Sequence, residues 1–333
     1  ATMRDTGTMA ICVSGRRLTV AGESGPESSI SVPVSAMAQK QPEKAIQRIN
    51  QQLSGGGPAI PRLYELLGMV YLTQKNTAKA EEAYVKAAEL DPQNLQQQMK
   101  LADFHAGTGK PDMAIQMYQN LIGRNPGNVD LKKKLAGLYL QQKAYDKATA
   151  LADELIKAND PQGRILKGQL LMAQNKSGEA IKELQSAVSV NRNSAETRYL
   201  LGLAFLQDKK LPQAETELNE AVKINDKFTQ AYRALAQLKL AGGDADSAIR
   251  YAQQGLRVSP DHSDLRIVLG NARMRKRDFS GAANEFEAAI KGEPNNQAAR
   301  YRLGLAQANL HMSQNKPDRA IQVITQQIKE FPD

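Results

Sequence analysis

The chain is poor in the residues that usually anchor one globular core. Tryptophan is absent, aromatics make up 5% of 333 residues, and cysteine occurs once. A single thiol, Cys12, excludes an intrachain disulfide framework. That absence suits the cytosol and equally suits many bacterial envelope proteins. No run of roughly 18 apolar residues occurs, so the sequence offers no transmembrane helix. The three histidines, His105, His262 and His311, lack a second His or Cys at ligand spacing, so a metal site has no support. No glycine-rich phosphate cradle follows a strand pattern. The acidic pairs Glu81-Glu82 and Asp153-Glu154 would point to different sides of a helix, a poor arrangement for acid–base chemistry. No enzyme activity and no cofactor are expected.

Charge is plentiful but dispersed. Lys and Arg number 44 against 35 Asp and Glu, a formal net charge of +9. Residues 263–333 carry 11 basic and 8 acidic side chains, and residues 95–160 carry 9 and 7. A nucleic-acid binder concentrates such charge in a stripe. The balance therefore points away from nucleic acid and allows an acidic protein partner. The densest basic cluster, Arg273, Arg275, Lys276 and Arg277, falls at the end of one expected helix and is read as a solvated turn.

What the chain has is a repeat. Alanine recurs as Ala80, Ala114, Ala148, Ala180, Ala214, Ala248, Ala282 and Ala320, in steps of 34, 34, 32, 34, 34, 34 and 38. In the clearest unit, 61–94, Tyr64, Leu67, Gly68 and Tyr71 fall on one helical face. Ala80, Tyr84 and Ala87 do the same on a second helix, and Pro92 ends the unit. Counting Pro61 as place 1, place 8 is always small: Gly68, Ala102, Ala136, Gly168, Gly202, Ala236, Gly270 and Gly304. Place 32 is Pro92, Pro126, Pro260, Pro294 and Pro332 in five units. Small residues at places 8 and 20 allow the two helices to approach closely.

This pattern resembles the tetratricopeptide repeat, with its aromatic, Leu-Gly, Tyr, Ala, aromatic, Ala and Pro signature. The resemblance implies an all-α, right-handed superhelical solenoid of antiparallel helix hairpins. Eight units are expected, at 61–94, 95–128, 129–160, 161–194, 195–228, 229–262, 263–296 and 297–333. A half-repeat helix and a Gly-rich joint occupy 40–60. Residues 1–39 stand outside the array, as irregular chain or two short strands. Ala36-Met37-Ala38 looks like the end of a secretory leader, but the apolar stretch such a leader needs is missing. The compartment stays open between the bacterial cytoplasm and the periplasm or cell envelope.

Two irregularities stand out. The third unit is two residues short and is followed by Lys167 in a leucine place, which predicts altered geometry there. The last unit has four extra residues near Asn309–Gln314, best accommodated as one more turn of its first helix.

The resemblance also implies where a partner sits. In the family, first helices line a concave surface, with places 2, 5, 9, 12 and 13 looking into it. The candidate partner-binding residues are Lys133, Gln169, Tyr199 and Leu203, together with Arg233, Gln237, Asn271 and Tyr301. Amides and cations there alternate with Leu and Tyr, suited to an extended peptide backbone with apolar side chains. The chaperone-binding and glycosyltransferase versions of the family are disfavoured, because Lys133 is followed by Gly137 and place 6 carries no asparagine. The expected function is a non-enzymatic protein-interaction scaffold, with bacterial envelope or export assemblies suggested by general likeness. The alternatives are a module that self-associates through its array ends, or the regulatory arm of an enzyme whose catalytic domain lies elsewhere.

Overall fold

The computed structural model describes residues 42–55 and 60–330. The expected leader-like and strand-like features of residues 1–39, most of the Gly-rich joint and Pro332 lie outside the described residues. Among the described residues the chain forms seventeen α-helices and no strand. Contacts divide it into two compact units, one ending at Gln142 and the other beginning at Lys143.

The first unit contains α1 (Pro42–Ser54), α2 (Pro61–Thr73), α3 (Thr77–Leu90), α4 (Leu95–Gly107), α5 (Pro111–Arg124) and α6 (Val129–Gln141). The second opens with α7 (Tyr145–Lys157), α8 (Pro161–Ala173), α9 (Ser177–Val190), α10 (Ala195–Gln207) and α11 (Leu211–Ile224). It continues with α12 (Thr229–Ala241), α13 (Ala245–Val258), α14 (Ser263–Arg275), α15 (Phe279–Gly292), α16 (Gln297–Ser313) and α17 (Pro317–Glu330). From α2 onward, helices of 13 and 14 residues alternate, except that α7 has 13 and α16 has 17. The four-residue insertion thus adds about one turn to α16, as its length suggests.

Within-hairpin turns share one device. A residue just past the first helix takes a left-handed conformation, and the next N–H bonds back five residues to the helix. Lys75, Asn175, Lys209 and Arg277 have φ of 58°, 60°, 59° and 60°. The bonds Asn76 N to Tyr71 O, Lys176 N to Leu171 O and Asp278 N to Arg273 O are each 2.9 Å. This is the Schellman closure, which satisfies carbonyls that the helix end leaves open. Asn76, Asp244 and Asp278 then cap the second helix through their side chains, each worth about 1 kcal/mol.

The short unit changes this scheme at one place. Between hairpins the chain normally makes a wider turn such as Asp91–Asn94 before α4. Between α7 and α8, Asn159 is left-handed at φ 56° and Asp160 N bonds Leu155 O at 2.9 Å. The missing two residues therefore convert a between-hairpin turn into the tighter within-hairpin kind. Gly163 answers that tightness, since a Cβ there would lie 2.6 Å from the Ile156 nitrogen. Lys167, in the leucine place of α8, turns to Asp153 of α7 at 2.8 Å. That hydrogen bond holds the lysine pKa above its usual value.

The eight repeat alanines are all buried, seven at 0% exposure and Ala320 at 1%. The close approach at place 8 is made mainly by a side chain from place 24 of the second helix. A Cβ on Gly68, Gly168, Gly202 or Gly270 would meet Tyr84, Leu184, Leu218 or Phe286 respectively. In α16 the extra turn shifts this register, and Gly304 faces Gln327 instead. Successive hairpins share core clusters: Leu171, Ile181 and Leu184 pack with Leu200, Leu201 and Phe205 across α8, α9 and α10. No hairpin seals its core alone, so stability rests on neighbours. On α17, Ile321, Ile324 and Ile328 stay 62%, 45% and 65% exposed.

A second repeated device joins hairpins. Arg164, Arg198 and Arg266 pair with Glu183, Glu217 and Glu285 of the following helix, at 2.8, 2.9 and 3.0 Å. Arg198, Arg266 and Arg300 also donate to the carbonyls of Arg192, Pro260 and Pro294 in the turn before their helix. One guanidinium thereby ties a between-hairpin turn to the hairpin that follows it.

Candidate functional site

The first helices of the hairpins carry the candidate residues, and their polar faces differ between the two units. In the first unit, the surface over α2, α4 and α6 is largely self-satisfied. Glu65 is bonded by Lys100 and accepts from Gln97 at 3.2 Å. Asp103 accepts the Tyr118 hydroxyl at 2.5 Å and the Lys134 ammonium at 2.8 Å. Burial and the Asp103 carboxylate push the Tyr118 pKa far above its usual value, so the phenol stays a donor. Lys133 lies exposed on this surface in a groove with Met99, Asp103 and Lys134.

In the second unit the candidates separate into two groups. Tyr199 and Leu203 are half-buried on α10 and largely committed to packing. Tyr199 sits against Phe228 with ring centroids 5.0 Å apart, and Leu203 covers the Leu218–Leu235 cluster. Gln169 lies half-buried on α8, outside the groove formed farther along.

Arg233, Gln237 and Asn271 are brought together. Helix α12 packs directly on α14 as well as on α13, and between α12, α14 and α16 a groove of about 350 Å³ opens. Gln237 and Asn271 line it, with Ile267 at its side and Arg275 and Arg302 at its edge. Arg233 reaches Asp264 of this groove at 2.5 Å. Tyr301 is 49% exposed on α16, next to Arg302.

Asp264, Arg275 and Arg302 are absent from the sequence-derived candidates. The basic cluster read there as a solvated turn disperses in the structure. Arg273 goes to Asp278 and Glu285, Lys276 to Asp246, and Arg277 forms the left-handed turn. Arg275 alone enters the groove, donating to the Leu240 carbonyl at 2.5 Å. Its place, 13, is one the family turns to the concave surface, and that signal could have found it.

His105, His262 and His311 sit apart, on α4, before α14 and in the last turn of α16. Among the described residues no group of three His, Cys, Asp or Glu is placed to hold a metal. No helix among them is long and apolar enough to cross a membrane.

Models of the tetratricopeptide repeat match residues 61–94, 105–170, 165–228, 233–273 and 273–333. The chain belongs to the tetratricopeptide repeat family. Such repeats make a protein–protein interaction scaffold, and their partners are proteins. The chain is 27% identical over 230 residues to putative cellulose synthase operon protein C of Escherichia coli O157:H7, covering 64% of this chain and 18% of that one. It is also 27% identical over 139 residues to the human protein O-mannosyl-transferase TMTC1, covering 39% of this chain and 15% of that one. It thus spans under a fifth of either relative's length. Among solved structures it is similar to a tetratricopeptide repeat protein from Parabacteroides merdae, with TM-score 0.52 and 17% identity, covering 74% of this chain and 98% of that one. The APC/C hetero-tetramer Cut9–Hcn1 is similar at TM-score 0.50 and 15% identity, covering 89% and 72%. At those identities the likeness concerns the fold alone.

Proposed function

We propose that the chain is a non-enzymatic scaffold that receives a peptide segment or partner domain on the face built by its first helices. The observation that carries this reading is the groove on α12, α14 and α16. There two amides, Gln237 and Asn271, stand in one lining with the aliphatic Ile267. Amides suit an extended backbone, and the aliphatic patch suits its side chains. The face of α2, α4 and α6 serves this role less well, because its carboxylates and lysines largely satisfy each other.

The relatives named cellulose synthase operon protein C support a place beside a polysaccharide-synthesising apparatus of the bacterial envelope. In that setting the chain holds partners together and leaves chemistry to them.

Affinity capture with mass spectrometry from the native source tests both points. Arg233→Glu with Asn271→Ala removes captured partners, whereas Gln253→Lys and Glu287→Lys, at exposed positions of second helices, leave them bound. The reverse outcome rejects the first-helix face.

A further inference from the structure

Grooves open on first-helix faces in both units, and their charges are handled differently. In the first unit, Lys100 is paired with Glu65 and Lys134 with Asp103. In the groove of α12, α14 and α16 the count is unequal. Three guanidiniums, those of Arg233, Arg275 and Arg302, meet one lining carboxylate, Asp264. Arg233 takes that carboxylate. Arg275 donates to the Leu240 carbonyl at 2.5 Å, and Arg302 to the Ala298 carbonyl of its own helix at 3.1 Å. Among the described residues neither has a carboxylate partner.

A guanidinium carries five N–H donors in a fixed fork. One carbonyl satisfies one of them and holds the side chain in place, leaving the rest to water. A carboxylate offered to such a fork gains a charge-assisted, two-point contact about twice as strong as a neutral hydrogen bond. Beside the arginines lie Ile267 and the buried Val268, with Leu240 across from them. The groove therefore combines two cationic forks, aliphatic side chains and two amides in one lining.

We infer that this groove is selective for a linear peptide segment that places an acidic side chain beside an aliphatic one. Arg275 and Arg302 read the carboxylate, Ile267 and Leu240 receive the aliphatic side chain, and Gln237 and Asn271 bond the intervening backbone. A lysine in the acidic position meets two like charges and is rejected. The inference rests on the reading that this face receives a peptide, and it adds which peptide.

The test uses three short synthetic peptide pools with a central Leu-Glu, Leu-Gln or Leu-Lys pair and randomised flanks. Acetylated and amidated ends leave side-chain carboxylates as the only ones read. Fluorescence anisotropy against the full chain should show the Leu-Glu pool binding about tenfold tighter than the Leu-Gln pool, with Leu-Lys weakest. The preference should shrink in about 0.5 M NaCl, where exposed charges are screened. Arg275→Gln with Arg302→Gln should abolish it, bringing Leu-Glu and Leu-Gln binding to within about twofold of each other. Arg302→Glu should turn preference toward Leu-Lys, with an unchanged helical circular dichroism signal. Equal binding of the Leu-Glu and Leu-Gln pools by the unaltered chain would overturn the acidic specificity and leave the peptide-binding reading standing. Binding of none of the pools would overturn both.

Discussion

Phe286 occupies the space that a Cβ on Gly270 would need: the added carbon would lie 2.6 Å from the ring's Cε1. In most hairpins the volumes at places 8 and 24 are paired, with Ala102 and Tyr118 the departure in the second unit. Glycine at place 8 faces Tyr84, Leu184, Leu218 or Phe286, whereas Ala136 and Ala236 stand at the same place in units whose place 24 is alanine. Gly270→Ala should overpack this seam and destabilise by about 1–2 kcal/mol, after the gain in helix propensity. Gly137 of α6 has nothing within 4 Å of a built Cβ, so Gly137→Ala should stabilise by about 0.5–1 kcal/mol. Urea melts of both variants check the opposite signs.

The left-handed turns give a second pair. Arg277 holds φ 60° without being glycine, and Gly243 holds φ 87° at the equivalent place of another hairpin. Left-handed backbone costs a side-chain-bearing residue roughly 1–2 kcal/mol. Arg277→Gly should therefore raise the melting temperature, and Gly243→Ala should lower it.

His105 is 3% exposed, and its Nδ1 has no hydrogen-bond partner. Burial lowers its pKa, Glu81 at 3.8 Å works the other way, and Lys110 adds to the lowering. The unfolded chain thus takes up this proton first. Stability from His105 is fully present above about pH 6.5 and is lost as pH falls from there toward the lowered folded pKa. His105→Phe, an aromatic like Tyr71 and Tyr139 at the same place, should reduce the drop in urea midpoint between about pH 7.5 and 5.5. An unchanged drop would remove His105 as its source.

Arg198 binds Glu217 at 2.9 Å and the Arg192 carbonyl at 2.9 Å, with 16% of its side chain exposed. Arg198→Ala strands a mostly buried carboxylate and should cost about 1.5–3 kcal/mol. Arg198→Lys should recover only part of that, since one ammonium lacks the fork to serve both acceptors. Replacing both partners by Met and Leu should recover more. Thermal denaturation of the three variants orders them.

The helices were legible in the sequence because Leu67, Gly68, Ala80, Tyr84 and their counterparts repeat at spacings only paired helices satisfy. The extra turn of α16 was legible for the same reason. The turn conformations were hidden, because Lys75, Lys209 and Arg277 adopt a backbone usually signalled by glycine. The Arg198–Glu217 pairing was hidden too, since it joins places 4 and 23, which only the folded hairpin brings together. Of the proposed binding face, Arg233, Gln237 and Asn271 follow from the family's positional pattern. In sequence Arg275 reads as part of a solvated turn, because its acceptor lies 35 residues back on α12 and depends on how hairpins stack. Tyr199 and Leu203 looked like lining residues, yet each spends much of its surface on the core.

A photo-crosslinking amino acid placed singly at Gln237, Asn271, Gln253 and Glu287 in the native source tests most directly whether partners bind the first-helix face of α12, α14 and α16. Partner adducts should form from Gln237 and Asn271 and be absent from Gln253 and Glu287. Adducts from the second-helix positions alone would contradict binding there.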